Sequence, residues 1–597
     1  MRLARLYGGV VLLSFCTIGY TYITYIATRL PLKGNRSDPG APWPLPASWE
    51  KSPVVRILDP NDFEIRSNLE SCDVISFNIR RYSEIIFRSR SAKIDTSGGL
   101  FPGLNVTVVN TTQCGGYPDM DSDESYSLEV GAAGASLTAN SVWGAIRGLE
   151  TFSQLVYIEG NEYKINETII RDKPRFQYRG VMLDTARHFI SKSLLFKNLD
   201  AMSYNKLNVF HWHIVDDQSF PYQSVKFPQL SDKGAYSPRH TYTQRDVRDI
   251  IEYARLRGIR VIPKLLTPCW VDGQPGRGRY NFHGDYEIFN PAVNSTFQFL
   301  EEFFSEVDDV FPGNELHLGF DEAYRHCWRS NPDVGQFMAE HNISTYGDLE
   351  AYYVTRVMAI ARGLGRRPII WQDPLEHSAV DVGGALVEVW KNRPLKTWQK
   401  YMDDVTGRGY DAILSACWYL NYISYGQDWR AYYACDPQEF NGTEEQNRLV
   451  RGGEACLWAE YIDGTNLLPL LWPRASAVAE RLWSARGVVD ADSAAFRLDQ
   501  QRCRLISRGI PAKPILNGFC DDDVEDTSSP TPSTTTPVPV CVTRTNGALN
   551  QWPSVIGILY YGMTVLLVSE EAVVAFLCIH QFLIETLVLH QISNVVL

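Results

Sequence analysis

Two adjacent carboxylates are the side chains of this sequence best suited to acid–base chemistry. Asp321 and Glu322 stand side by side at the end of the short run 315–319. Neighbouring carboxyls at the end of a buried strand are a candidate acid and base for bond cleavage. An arbitrary Asp-Glu pair is more often a solvated turn or the first turn of a helix. The position at a strand end favours the catalytic interpretation.

Four short apolar runs later in the chain each end in a tryptophan. Polar side chains follow these tryptophans closely. The tryptophans are Trp371, Trp390, Trp418 and Trp458. An indole face can stack on the C–H face of a sugar ring, while carboxylates and amides nearby bind its hydroxyls. The alternative is ordinary aromatic packing. Grouped at one mouth of a barrel, these residues predict a site that processes glycosides.

Two histidines lie on one face of the apolar run 207–215, which precedes the carboxylate pair in the chain. His211 and His213 are at positions i and i+2, so their side chains point the same way. A metal would need a third close ligand, and the next candidate, His317, is on a non-adjacent strand. We therefore expect hydrogen-bonded histidines and neither a metal nor a cofactor. Asp216 and Asp217 end the same strand and can reach the site.

Eight short apolar runs after Pro174 supply the frame for these residues. Each precedes a polar turn and a helical pattern, as in 243–257, where Thr243 and Asp246 resemble a capping box. The runs are 177–183, 207–215, 259–265, 315–319, 368–371, 385–390, 412–418 and 453–458. They predict an α/β fold, a closed (β/α)8 barrel over 174–520 with its site at the strand carboxyl ends. Shorter alternating runs over 53–173 predict a small α+β domain.

The composition of the 597-residue chain excludes some functions. It has 57 Lys and Arg against 69 Asp and Glu, a formal charge of −12. An acidic chain without a long basic stripe argues against nucleic-acid binding.

Residues 29–52 are predicted to be a linker, and 521–553 an acidic and then Ser/Thr/Pro-rich stalk.

Glycosylation signals and apolar ends indicate the compartment. The predicted acceptors are Asn35, Asn105, Asn110, Asn166, Asn294, Asn342 and Asn441. Residues 6–28 carry no charge, and 1–28 is predicted to be an uncleaved signal anchor, with a cleaved signal peptide as the alternative. The apolar tail 554–597 is a second membrane segment, a lipid-anchor signal or a non-native extension. These features predict a membrane-associated, extracytoplasmic protein.

Seven motifs in order resemble the signatures of β-N-acetylhexosaminidases, glycoside hydrolase family 20, and of its animal, lysosomal-type members. They are RGVMLDTARHFI, FHWHIVDDQSFPYQS, LHLGFDEAYRHCW, IIWQD, VEVWKN, ACWYLNYISYGQDW and GGEACLWAEYIDGTNLLPLLWPRASAVAERLW. The resemblance runs from about Pro53 to Cys520. It implies hydrolysis of terminal, non-reducing N-acetylglucosamine or N-acetylgalactosamine from glycoconjugates or chitooligosaccharides, and a homodimer.

The resemblance also implies a role for each site residue. Glu322 would be the general acid/base and Asp321 would orient the 2-acetamido group, whose oxygen attacks C1 and gives net retention. Tyr419 would donate a hydrogen bond to that oxygen. The sugar would lie among Trp371, Trp390 and Trp458, with its hydroxyls held by Arg179 and Glu460. Asp216 matches a supporting carboxylate, and Asn421 stands where relatives carry Asp or Asn.

Disulfides are a further implication of the resemblance. It pairs Cys72 with Cys114, Cys269 with Cys327, and Cys503 with Cys520. It assigns no partner to Cys417, Cys435, Cys456 or Cys541.

Two departures from the family pattern are local. The family has Gly where this chain has Phe320, whose ring is expected to crowd or twist the pair. Pro263 runs directly into Lys264, where relatives continue into an acidic residue and a DTPGH-like loop. The apparent loss of that loop puts activity in doubt, and the alternative is a catalytically weak glycan-binding surface protein.

Overall fold

Alternating buried and exposed side chains build the sheet of the amino-terminal domain. The computed structural model describes residues 38–88, 101–160, 162–265, 269–270, 287–323, 325–377, 380–424 and 426–520. The first seven strands are β1 (Ser48–Leu58), β2 (Glu64–Ser67), β3 (Gly103–Val108), β4 (Tyr126–Gly131), β5 (Gly134–Ala139), β6 (Tyr157–Glu159) and β7 (Glu162–Asp172). Their order is β1-β7-β4-β5-β3-β2, with β6 on β7. Strands β3, β4 and β5 alternate buried with exposed residues, so one face is left for helices.

Two helices cover that face and complete the predicted α+β domain. They are α1 (Asp73–Ile86) and α2 (Val142–Leu155). Ser141 begins α2 by accepting hydrogen bonds from the backbone N–H groups of Trp143 and Gly144.

The linker prediction is wrong for its last part. Strand β1 begins at Ser48, within the predicted linker 29–52. Trp43 is fully buried, and its indole donates to the Ser476 carbonyl at 3.0 Å. The Pro-rich composition hid this anchoring tryptophan, because composition does not report a long-range contact.

The eight predicted runs form a closed parallel barrel, as expected. Its strands are β8 (Tyr178–Asp184), β9 (Val209–His213), β10 (Arg260–Lys264), β13 (Glu315–Gly319), β14 (Arg367–Trp371), β15 (Leu386–Val389), β16 (Asp411–Leu414) and β17 (Val450–Leu457). A two-stranded hairpin, β11 (Cys269–Trp270) with β12 (Glu287–Ile288), lies between β10 and β13 in the chain. The strands are almost entirely buried on both faces, as in other helix-covered parallel sheets.

Helices follow the strands and pack outside them. They are α3 (Lys192–Tyr204), α4 (Gln229–Gly234), α5 (Gln244–Arg255), α6 (Asn294–Val310), α7 (His326–Ser330), α8 (Pro332–Glu340), α9 (Tyr346–Gly363), α10 (Asp373–His377), α11 (Trp398–Gly407), α12 (Trp429–Ala434), α13 (Glu444–Arg448), α14 (Leu467–Leu471), α15 (Arg474–Trp483) and α16 (Ala491–Ser507). The predicted capping box of Thr243 and Asp246 is confirmed at the start of α5. Val247, Ile250 and Ala254 form its buried face.

A buried charge cluster joins the small domain to the barrel. Glu124 accepts from Arg147 Nε at 2.8 Å and from Arg179 Nη2 at 2.6 Å. Asn208 Nδ2 adds a third hydrogen bond at 3.1 Å. Burial works against the charge of Glu124, but the two guanidiniums outweigh it and hold its pKa below the usual value.

Removal of this carboxylate should destabilise the fold strongly. Glu124→Ala leaves two buried guanidiniums without a counter-charge, so we expect a loss of about 3–5 kcal/mol in the free energy of unfolding. Urea unfolding at neutral pH measures it, with Glu129→Ala on the exposed face of β4 as the control, expected within about 0.5 kcal/mol. Because the folded-state pKa is depressed, this contribution is lost as pH falls through that pKa. Equal unfolding midpoints for the two variants would contradict the prediction.

Three disulfides lie in the described part of the chain. Cys72–Cys114 and Cys503–Cys520 confirm two predicted pairs. Cys417–Cys435 is a third that the sequence did not assign, and Cys456 is a buried free thiol. The predicted pair of Cys269 and Cys327 involves side chains outside the described part. Disulfides are typical of proteins that fold in an oxidising compartment.

The predicted end segments lie outside the described residues. These are the segment 1–28, the stalk 521–553, the tail 554–597 and Asn35. Within the described ranges, the helices are all too short or too polar to cross a bilayer. Of the described predicted acceptors, Asn166 is half-buried, and its amide donates to the Ser52 carbonyl at 2.9 Å. The other five are exposed, and their glycosylation stays a prediction.

Candidate active site

The turn that carries the two carboxylates has an unusual backbone. Gly319, Phe320 and Glu322 have φ values of 75°, 68° and 47°. This left-handed region disfavours every residue that has a Cβ. A Cβ on Gly319 would lie 2.9 Å from Lys264 Cε, so the position requires glycine. The strained turn after β13 therefore sets the directions of Asp321 and Glu322.

Phe320 adds a bulky side chain to this turn. Its half-buried ring meets Tyr353 of α9 edge-on, with ring centroids 6.0 Å apart. The benzyl group thus reaches the helix layer that surrounds the barrel.

Asp373 connects the acid candidate to the aromatic wall. Its Oδ1 accepts from the backbone N–H of Glu322 at 3.2 Å, and its Oδ2 accepts from Trp390 Nε1 at 2.7 Å. Lys391 Nζ lies 2.7 Å from Asp373 Oδ1. Glu322 is exposed at the surface, but partial loss of solvent raises its pKa, and the charges of Asp321 and Asp373 raise it further. Glu322 therefore holds its proton to a higher pH than an ordinary glutamate, which suits a general acid.

Four aromatic side chains form a wall beside the pair. Trp371 lies 6.4 Å from Trp390 and 6.3 Å from Trp458 between ring centroids. Tyr419 stacks on Trp390 at 6.3 Å. Trp371 is buried, whereas Trp390 and Trp458 are half-buried. Trp418 is not part of this wall, since it is fully buried and donates to the Tyr432 carbonyl.

Tyr419 is suited to donate a hydrogen bond. Burial raises the pKa of its hydroxyl well above the usual value, and nearby Cys456 and Glu388 add to the shift. The group therefore stays protonated. Two residues later, Asn421 Oδ1 is shielded from water and accepts no hydrogen bond from the described residues.

Arg187 is a site residue that the sequence analysis missed. It follows strand β8, and its guanidinium lies 3.0 Å from Asp184 Oδ2 and 3.0 Å from Asp216 Oδ2. Its Cζ is 5.0 Å from the centroid of the Trp458 ring. Asp216 also bonds His213 Nε2 at 2.6 Å. Because the sites of (β/α)8 barrels lie at the carboxyl ends of the strands, a residue just after β8 could have been predicted from the sequence.

The prediction that Arg179 binds the substrate is wrong. Arg179 is the second residue of β8, at the amino end of the strand, whereas the site lies at the carboxyl ends. It is completely buried, pairs with Glu124 and donates to the Phe176 and Lys206 carbonyls. Both arginines occur in the same motif, and only the strand bounds separate their roles.

Glu460 is exposed at the edge of the wall, two residues beyond Trp458. The preceding backbone N–H, of Ala459, donates to Asp184 Oδ2 at 3.1 Å. Asp184 thus ties the Glu460 segment to Arg187 at the carboxyl end of β8.

The prediction that His317 lies apart from His211, because their strands are not adjacent, is also wrong. Their rings stack with centroids 4.4 Å apart in the barrel interior, because side chains of non-adjacent strands meet there. Glu388 lies close enough for the three to be within reach of one metal ion. His211 Nδ1 instead bonds Glu454 at 2.7 Å, and His317 Nδ1 accepts from the Gly319 backbone at 3.1 Å. Burial lowers the pKa of both rings, His211 to about 4, so both are neutral.

Family comparisons agree with this geometry. Residues 176–486 match the catalytic domain of glycosyl hydrolase family 20, and residues 42–155 match the domain described as beta-acetyl hexosaminidase like. The chain belongs to glycosyl hydrolase family 20. This confirms the resemblance, the barrel and the small domain that precedes it.

Relatives of family 20 cover most of the chain. Beta-hexosaminidase subunit beta of Felis catus is 46% identical over 524 residues, which are 84% of this chain and 98% of the relative. The human subunit beta is 45% identical over 518 residues, 83% of this chain and 92% of the relative. The structure of a Flavobacterium johnsoniae chitobiase has a TM-score of 0.67 and 29% identity, over 78% of this chain and 73% of that one. The chain is a β-hexosaminidase-type glycosidase that hydrolyses terminal N-acetylhexosamine, and the non-enzymatic alternative is not supported.

Proposed function

We propose that this family 20 enzyme uses its substrate's own acetamido group as the nucleophile. The observation that carries the proposal is the Asp321–Glu322 pair beside an aromatic wall that contains a protonated Tyr419. The acetamido oxygen attacks C1 while the glycosidic C–O bond breaks, and Glu322 gives its proton to the leaving oxygen. Water then adds to C1, its proton returns to Glu322, and the acetamido group reforms with net retention.

The neighbouring groups assist the charged intermediate. Asp321 accepts a hydrogen bond from the acetamido N–H. Its negative charge stabilises the positive charge that develops on the oxazolinium ring. Tyr419 donates to the acetamido oxygen and aligns it with C1. Trp371, Trp390 and Trp458 enclose the acetamido methyl group and the sugar ring.

A second group of side chains binds the hydroxyls of the terminal sugar. Arg187, and not Arg179, binds these hydroxyls together with the carboxylate of Glu460. Asp216 holds the Arg187 guanidinium through the 3.0 Å ion pair. Asn421 offers a shielded amide oxygen without adding negative charge.

Replacement of Arg187 should weaken substrate binding. Arg187→Met removes charge-assisted hydrogen bonds worth about 1.5–3 kcal/mol, so we expect kcat/KM for an aryl N-acetylglucosaminide to fall by about 10- to 100-fold. Arg239→Met, an exposed arginine of the loop before α5, is the control. If both variants keep the kcat/KM of the parent enzyme, Arg187 does not contact the sugar.

A thiazoline mimic of the oxazolinium ion tests the mechanism directly. It should inhibit competitively and bind at least about 10²-fold more tightly than N-acetylglucosamine, since the site is complementary to the transition state. Isolation of a glycosyl ester on Asp321 or Glu322 would contradict this mechanism.

We further infer that the chain acts outside the cytosol, as a homodimer, on glycoconjugates or chitooligosaccharides. Three disulfides and five exposed glycosylation acceptors support the compartment. Anchoring through residues 1–28 stays a prediction. A glycosidase-sensitive mass shift tests the compartment, and retention in carbonate-washed membranes tests the anchor.

A further inference from the structure

A buried lysine stands next to the proposed acetamido-binding carboxylate. Lys264 is the last residue of β10, and its side chain is only 1% exposed. Its Nζ lies 3.4 Å from Asp321 Oδ1 and 5.8 Å from the centroid of the Trp458 ring. Lys264 Cε occupies the space that a Cβ on Gly319 would need, since the two atoms would be 2.9 Å apart.

Among the described residues, Asp321 is the acid within ion-pair distance of this ammonium, and the Lys264 charge also acts on the more distant Asp216. Lys264 pairs in register with His213 on β9 and with His317 on β13. Burial lowers the pKa of both histidines, which disfavours a positive charge on either ring. Asp321 Oδ1 is shielded from water and accepts no well-aligned hydrogen bond from the described residues. The Lys264 charge therefore acts on the Asp321 oxygen over a short distance in a poorly solvated place, where Coulomb interactions are strong.

We propose that Lys264 is a positioning residue that attenuates catalysis by competing with the substrate acetamido group for Asp321. This rests on the proposed role of Asp321. An ammonium paired with that carboxylate cancels the negative charge that should stabilise the oxazolinium ion, and it repels the positive charge that develops nearby. The penalty grows from ground state to transition state, so it falls on kcat more than on binding of the neutral sugar.

The sign of the effect follows from the exposure of Asp321. Its side chain keeps 21% of its surface exposed. Water reaches this exposed part of the carboxylate and solvates its charge when the ammonium is absent. Removal of the ammonium thus frees a charged acceptor.

The test compares Lys264→Met, Lys264→Gln and Lys264→Arg in the full chain at pH 6. The two neutral variants should raise kcat for an aryl N-acetylglucosaminide by about 10-fold and tighten thiazoline binding by a similar factor, while the Kd of N-acetylglucosamine changes by less than about 3-fold. Lys264→Arg keeps the cation and should show no such gain. Lys226→Met, on the exposed surface, controls for the loss of a lysine.

Combination with Asp321→Asn shows whether the lysine acts through this carboxylate. The gain from Lys264→Met should disappear in the Asp321→Asn background, because the pair no longer exists. An unchanged or lower kcat in folded Lys264→Met and Lys264→Gln would overturn the inference, as would a gain that persists without Asp321. If both neutral variants fail to fold, Lys264 is needed for structure and the inference is also overturned. Failure of the unmodified enzyme to bind either thiazoline or N-acetylglucosamine would instead refute the proposed function.

Discussion

Glu322→Gln should lower kcat for an aryl N-acetylglucosaminide by about 10²-fold or more, with little change in the binding of N-acetylglucosamine. The amide cannot give a proton to the leaving oxygen or take one from water. The side chain keeps its size, and its backbone N–H keeps the 3.2 Å hydrogen bond to Asp373. Steady-state kinetics and calorimetric binding of the sugar measure the two effects separately.

The control for this variant is Glu302→Gln, an exposed glutamate on helix α6. It should retain the parent kinetics. A substrate with a highly acidic leaving group, such as dinitrophenol, should lose less activity in Glu322→Gln, because it leaves without a proton. Equal losses with good and poor leaving groups would show that Glu322 is not the general acid.

Asp321→Asn should lower kcat by about 10²-fold and also change the pH profile, since it removes charge from both steps. The pKa of Glu322 lies above its usual value through partial loss of solvent and, next, through the charge of Asp321. Activity needs protonated Glu322, so it falls as pH rises through that pKa. Without the Asp321 charge that pKa is lower, and the basic limb of kcat/KM should move to lower pH.

Asp308→Asn is the matched control, because this carboxylate lies in the last turn of helix α6 and pairs with Arg366. Its basic limb should coincide with that of the parent enzyme. A basic limb in Asp321→Asn that stays in place or moves to higher pH would remove Glu322 as the group that titrates.

Local sequence patterns predicted the architecture because strands and helices depend on neighbours in the chain. The eight barrel strands were predicted from apolar runs that parallel sheets need when both faces are covered. The capping box of Thr243 and Asp246 was also predicted from neighbouring residues in the sequence, and the structure confirms it. Asp321 and Glu322 were found because the carboxyl end of a barrel strand is where a site is built.

Local sequence patterns did not predict contacts between residues that are far apart in the chain. Arg179 and Arg187 lie eight positions apart in one motif, yet β8 places them toward opposite ends of the barrel. The composition around Trp43 predicts a linker because it does not report a partner, Ser476, that is 433 residues away. Cys417 and Cys435 are only 18 residues apart, but no partner was assigned because spacing alone does not show which sulfurs meet.

The sequence by itself determined the order of strands, the family resemblance and the candidate catalytic pair. Only the tertiary structure decided which arginine faces the site, that His211 stacks on His317, and that Lys264 lies beside Asp321. The physical reason is barrel closure. Closure brings side chains of β9, β10 and β13 into one small interior, and the burial and charge of each group there depend on all three strands together.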